Sequence, residues 1–304
     1  MSETDGSALR GIMPAIASPC AEDDEFLEDR FADLARLLYE QGVDGLYVCG
    51  ATGDGINMQI AERKAAAQIS VEVSKRYAGK VIVHVGTSNS RDSQELAEHA
   101  AVVGAAAVSS MPPANKSIDQ LVSFYTDIQK ASGLPVLVYH IPTLSGHSTS
   151  VEEMIRLLDI EGVVGLKFSD YNVFMMARLI KARPAITVFS GNDEILVPAL
   201  LYGAQGGIGM NYNLFPKAFI GIYKAVAQGD IPRAMELQRL VVDYVEVIFK
   251  YNLFKSFEAI MQHLDRAPHS YRRPRPTMDR ESRQRFIAEA DPRLAALEEA
   301  TKSV

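Results

Sequence analysis

Cysteine is scarce: the chain carries only Cys20 and Cys49. Two thiols make neither a disulfide framework nor a structural zinc set, and as free thiols they suit a reducing cytoplasm. Long apolar runs are missing as well. No window of about 18 uncharged apolar residues exists, so no membrane-spanning helix is expected. MSETDGSALRG (1–11) lacks the charged-then-apolar pattern of a secretory signal. Basic runs are short. With 31 Lys and Arg against 38 Asp and Glu, the formal charge of −7 argues against nucleic acid or a membrane surface as a partner. The one basic cluster, HSYRRPRP (269–276), is Pro-interrupted and is expected to be a solvated loop.

What is present is the composition of an ordinary globular protein: 304 residues, 47% apolar and 23% charged. Short apolar runs rich in β-branched residues recur, each followed by a helix-like stretch. They are GIMPAIAS (11–18), DGLYVC (44–49), VIVHVG (81–86), AAVSS (106–110), PVLVYH (135–140), VVGLKF (163–168), ITVFS (186–190) and QGGIGM (205–210). Nearly continuous apolar runs read as strands covered on both faces, hence parallel strands joined by helical crossovers. The intervening FLEDRFADLARLLYEQG (26–42) and SIDQLVSFYTDIQKASG (117–133) have helical periodicity, the second with Ser117 as N-cap and Gly133 as stop. Eight such units predict a closed (β/α)₈ barrel. An open dinucleotide-binding sheet would place a Gly-rich turn after its first strand, where SPCAEDDEF (18–26) stands. Helical stretches follow at about 215–228, 231–250 and 252–264. The expected organisation is a barrel over 1–230 and a helical extension over 231–304.

In such a barrel the chemistry lies at the C-terminal ends of the strands. Lys167 is the unexpected residue there, an ammonium group inside an apolar run. Strict alternation puts Val163, Gly165, Lys167 and Ser169 on the interior face and Val164, Leu166 and Phe168 against the helices. An interior lysine is desolvated, its pKa falls from about 10.4, and the neutral amine can form an imine with a ketone. Read alone, it fits equally a lysine that snorkels to the rim or pairs with an interior carboxylate. Tyr139, at the end of the neighbouring strand, suits proton relay, or else a core tyrosine with a satisfied hydroxyl. GATGDG (50–55) can hold a carboxylate on its backbone N–H groups, with the Thr52 hydroxyl adding a contact. His84, His140 and His147 all belong near the barrel mouth but lack the tight spacing of a metal site, so no metal is expected.

Together these segments resemble the dihydrodipicolinate synthase and N-acetylneuraminate lyase superfamily. The resemblance rests on CGATGD (49–54), YHIPTLSG (139–146), GLKFSD (165–170) and GNDEI (191–195) followed by GGIG (206–209). It implies a class I mechanism without cofactor: Lys167 forms an imine with pyruvate or a longer 2-oxo acid, and Tyr139 moves protons. It implies substrate contacts at Ala51, Thr52, Ser169, Gly191, Asp193, Glu194 and the Ile208 backbone, and a cytoplasmic homo-oligomer, often a tetramer. Leu144 stands where the synthases carry a carboxylate-binding arginine, so the detail is similar to the lyases. Three features depart from the pattern. Ala51 replaces the relay Thr or Ser, Met210 stands where the lyases tend to have Ser, and SMPPANKS (110–117) lacks an aromatic lent across a subunit interface. The alternatives are a 2-keto-3-deoxy sugar acid dehydratase, a dihydrodipicolinate-type condensation, or a 2-oxo acid binding protein without turnover.

Overall fold

The computed structural model describes residues 9–146, 148–302 and 304. His147 lies outside the described residues.

Eight strands form one parallel sheet: β1 (Gly11–Pro14), β2 (Gly45–Val48), β3 (Lys80–His84), β4 (Ala107–Ser110), β5 (Val136–His140), β6 (Val163–Phe168), β7 (Thr187–Ser190) and β8 (Gly206–Gly209). Their order runs β1-β8-β7-β6-β5-β4-β3-β2. The Ile16 N–H donates to Tyr47 O at 3.0 Å and the Asp44 N–H to Ile12 O at 3.0 Å, which brings β1 onto β2 and closes the barrel. Each sequence-predicted strand is present, because a run buried on both faces has few other stable settings.

The helices between them are α1 (Glu28–Glu40), α2 (Ile60–Ser74), α3 (Ser90–Val103), α4 (Ile118–Ser132), α5 (Pro142–Ser145), α6 (Val151–Leu158), α7 (Val173–Ala182), α8 (Leu196–Leu201) and α9 (Pro216–Ala227). α1 buries Phe31, Leu34 and Leu38 against the sheet, each contributing about 1.5–3 kcal/mol. α4 starts and stops as its sequence predicts. Ser117 Oγ accepts from the Gln120 N–H in a capping box, and Gly133 ends the helix with φ 64°.

Two cores result. The outer one, between sheet and helices, takes Val138, Leu166, Phe168 and Val188. The inner one fills the barrel with Met13, Tyr47, Ile82, Leu137, Tyr139, Phe189 and Ile208. Strict alternation fails at the start of β6. Val136 pairs with Val163 but Leu137 pairs with Gly165, so Val164 is an extra residue. Val163 therefore joins the outer core and Val164 packs against the inner one, the reverse of the expected faces. From Gly165 onward the alternation resumes, with Lys167 beside Tyr139 of β5 and Phe189 of β7.

After β8 come α10 (Ile231–Lys250), α11 (Leu253–His263) and α12 (Arg280–Ala300). The last lies in the tail of the expected helical extension, where no separate helix is delimited from the sequence because Pro292 lies inside it and its large apolar residues are few. Its Phe286, Ala290 and Leu297 are nevertheless buried at helical spacing, and Asp279 caps it by accepting from the Ser282 N–H at 2.9 Å. The segment 269–276 also departs from expectation. It is no solvated loop: Ser270, Tyr271 and Arg272 are buried. Arg275 pairs with Asp24 at 2.6 Å and Glu22 at 3.1 Å, and the Arg272 N–H donates to Asp54 Oδ2 at 2.7 Å. Acidic loops at the mouth of the barrel recruit the basic cluster as a strap.

Candidate active site

A cavity of about 320 Å³ opens at the C-terminal ends of the strands. Every site residue expected from the sequence lines it: Ala51, Thr52, Tyr139, Lys167, Ser169, Gly191, Asp193, Glu194 and Ile208. Sequence positions from β2 to β8 thus meet in one place.

Lys167 points inward from β6 and is 3% exposed. Burial pushes its ammonium down to about 7, and the Asp193 carboxylate holds it up in part. Among the described residues it forms no ion pair. Its Nζ lies 4.3 Å from the ring centroids of both Tyr47 and Tyr139. The Tyr139 phenol is raised far above its ordinary range by burial, so it is a neutral donor at physiological pH. The Ser169 hydroxyl sits close enough to offset a little of that rise, although the two are not aligned for a full hydrogen bond. Gly191 is small for a local reason: a Cβ there would lie 1.8 Å from Ser169 Oγ.

Asp193 opens the turn after β7. Its Oδ2 accepts from the Asn211 N–H at 2.8 Å and from Asn211 Nδ2 at 2.9 Å, and Gln238 Nε2 of α10 donates to its carbonyl at 3.1 Å. Burial, reinforced by neighbouring Glu194, pushes this carboxyl up to about 7, while Asn211 and Lys167 draw it back. Glu194 is more open and receives the Tyr171 hydroxyl, with Asn192 Nδ2 at 3.5 Å. In GATGDG, Asp54 is held with φ 53° by the Arg272 N–H and by Asn57 Nδ2 at 2.8 Å. That leaves the backbone N–H groups of Ala51 and Thr52 without another acceptor among the described residues.

Among the described residues the histidines do not gather. His84 is buried in β3, where desolvation keeps its imidazole neutral, and its Nε2 accepts from the Met111 N–H at 3.0 Å. His140 turns outward, stacks on Phe168 and faces Asp170 at 3.3 Å. Among the described residues no group of three His, Cys, Asp or Glu side chains is arranged to hold a metal.

Several lining residues escape a strand-end reading. Asn211 follows β8, and Val245, Phe249, Leu253 and Phe254 come from α10 and α11 to form an apolar outer wall with Met210. Tyr47 was missed because an inward aromatic in a strand reads as core; only the alternation of GLYV would have singled it out.

The sequence profile of the dihydrodipicolinate synthetase family matches residues 8–291. N-acetylneuraminate lyase of Citrobacter koseri is 35% identical over 262 residues, spanning 84% of this chain and 87% of that protein. Among solved structures, N-acetylneuraminate lyase of Mycoplasma synoviae superposes with a TM-score of 0.83 at 27% identity, covering 94% of this chain and 98% of the other. Sialic acid aldolase of Ruminococcus gnavus, at 24% identity, shares the fold with a TM-score of 0.88 over 97% of this chain and 99% of its own. The chain belongs to the dihydrodipicolinate synthetase family and is a class I aldolase of it.

Proposed function

We propose that this aldolase cleaves, and in reverse builds, a hydroxylated 2-oxo acid through an imine between Lys167 and the ketone that becomes pyruvate. One observation carries the assignment: a buried amine whose ammonium burial pushes down to about 7, in a cavity with Tyr139 beside it. Neutral Nζ attacks C2, and the carbinolamine loses water as Tyr139 passes a proton to the departing hydroxyl. The 4-hydroxyl then returns a proton to the Tyr139 phenolate, the C3–C4 bond breaks, and its electrons move to the iminium as an enamine. An aldehyde leaves. Protonation at C3 and hydrolysis release pyruvate and restore the amine. The substrate carboxylate is assigned to the backbone N–H groups of Ala51 and Thr52, and the hydroxyls of the aldehyde half to Ser169, Asp193 and Glu194.

Condensation with an aspartate-derived aldehyde would bring a second carboxylate. Among the described residues Lys167 is the one cation lining the cavity, against Asp170, Asp193 and Glu194, and Leu144 lines it where the resemblance puts the synthases' arginine. Cleavage of a neutral polyol chain fits that charge better, as in an N-acetylneuraminate lyase. Dehydration of a 2-keto-3-deoxy sugar acid uses the same imine and remains the enzymatic alternative. Ala51 motivates the reading without turnover: a relay hydroxyl is missing, and one hydrogen bond to a charged group is worth about 1.5–3 kcal/mol.

Pyruvate with borohydride should leave a reduced adduct on the peptide containing Lys167. An unmodified lysine removes the imine. Among 4-hydroxy-2-oxo acids, pyruvate release diagnoses cleavage, a retained carbon skeleton diagnoses dehydration, and steady-state turnover of either kind eliminates the binding-protein reading. Buried free Cys20 and Cys49 support a cytoplasmic setting. No helix of the described residues is long and apolar enough to cross a membrane.

A further inference from the structure

Tyr47 has no part in the chemistry so far, yet its ring approaches the reacting nitrogen as closely as that of Tyr139. Both centroids lie 4.3 Å from Lys167 Nζ. The two rings stand 5.9 Å apart at 80° to one another, so Nζ occupies the corner between two perpendicular faces. That corner is rigid. The Tyr47 hydroxyl donates to Ser109 Oγ at 3.1 Å, tying β2 to β4, and the side chain is fully buried. Gly50 clears the space beside it, since a Cβ there would lie 2.4 Å from Tyr47 Cε1.

We propose that Tyr47 is a catalytic partner of Lys167: with Tyr139 it forms an aromatic corner whose electron-rich faces hold the cationic nitrogen of the imine. The inference rests on the imine reading above. An aromatic face attracts a desolvated cation by about tenfold to thirtyfold in an equilibrium constant. Few other groups act on Nζ. Asp193, with Glu194 behind it, attracts from the turn after β7; neutral His84, backed by the Arg63 guanidinium, lies toward β3. Met13, Phe189 and Ile208 from β1, β7 and β8 are uncharged.

The sign of the effect is specific. Ammonium and iminium each carry one positive charge on Nζ, so the faces do not favour one over the other. They favour both over the neutral amine. Removing the Tyr47 face should therefore lower the pH at which Lys167 titrates. It should weaken imine formation only where the free enzyme is already the neutral amine.

The test follows the ε-carbon of ¹³C-labelled lysine by NMR, with the Lys167 signal assigned by its loss in Lys167→Met. Tyr47→Phe keeps the face and should titrate close to the parent. Tyr47→Leu should titrate about one pH unit lower, the counterpart of a tenfold loss. At subsaturating pyruvate, borohydride trapping in Tyr47→Leu should fall about tenfold at pH 9 and stay near parental at pH 5.5. A natively folded Tyr47→Leu that titrates and traps like the parent overturns the proposal. If Tyr47→Leu does not fold, fluorinated phenylalanines at position 47 keep the shape while draining the ring. The midpoint must then fall with each added fluorine, and a flat series overturns the proposal equally. A parent protein that traps no pyruvate at all defeats the imine reading instead, while the NMR titration still decides whether the corner holds a cation.

Discussion

A lysine inside an apolar barrel costs stability, and the cost is tied to its chemistry. Burial takes Lys167 from 10.5 to about 7. The folded protein thus holds this proton less tightly than the unfolded chain, which favours unfolding by roughly 4 kcal/mol at pH 7. Because the folded value is the lower one, that penalty is full below about pH 7 and fades as pH rises toward 10.5. Lys167→Met should accordingly raise the urea midpoint at pH 7 and lose most of that advantage at pH 10, while abolishing the adduct. A midpoint that drops at pH 7 would mean the lysine is not paying a burial cost at all. The same titration governs activity: kcat/KM should climb as pH rises through about 7, where the amine becomes neutral. Lys167 was legible in the sequence because a charge in an apolar run contradicts its surroundings. Tyr47 was not, since an aromatic in a strand contradicts nothing.

The elements were legible to different degrees for physical reasons. Parallel strands covered on both faces advertise themselves as apolar runs, and capped helices such as α4 carry their own punctuation. The bulge at Val164 leaves no mark, because Val163 and Val164 are interchangeable in pattern and only pairing with β5 decides their faces. The strap 269–276 looked like a solvated charge cluster because its partners, Glu22, Asp24 and Asp54, lie more than two hundred residues away. Asp54 joins the strap to the turn that presents Ala51 and Thr52. Asp54→Ala should cost about 3 kcal/mol, from two hydrogen bonds to a buried carboxylate and an alanine at positive φ. It should also raise the KM for pyruvate while Lys167→Met retains the parental turn. Chemical denaturation and steady-state kinetics on the variant check both effects. Unchanged stability would show that the strap does not brace the turn.

At the scale of the whole molecule, the division into a barrel over 1–230 and an extension over 231–304 raises the question of dependence. α10 supplies Leu237, Val241, Tyr244, Val245 and Ile248 to the outer core, each buried. It also reaches the site, with Gln238 Nε2 donating to Asp193 O and the Val197 N–H donating to Gln238 Oε1 at 3.0 Å. α12 then closes over α10, where the Lys250 and Tyr251 side chains donate to Glu289 at 2.7 Å. Ending the chain at Asp230 would therefore bare a continuous apolar face and release the loop that carries Asp193 and Glu194. Burying those α10 side chains is worth about 1.5–3 kcal/mol apiece, which together matches the 5–15 kcal/mol by which a domain of this kind is stable. We infer that 231–304 is an obligatory part of one folding unit. A chain of residues 1–230 should be insoluble, or should bind hydrophobic dye and lack a cooperative thermal transition. The full chain should melt in a single transition. A truncated barrel that melts cooperatively and still traps pyruvate on Lys167 would make the extension an accessory instead.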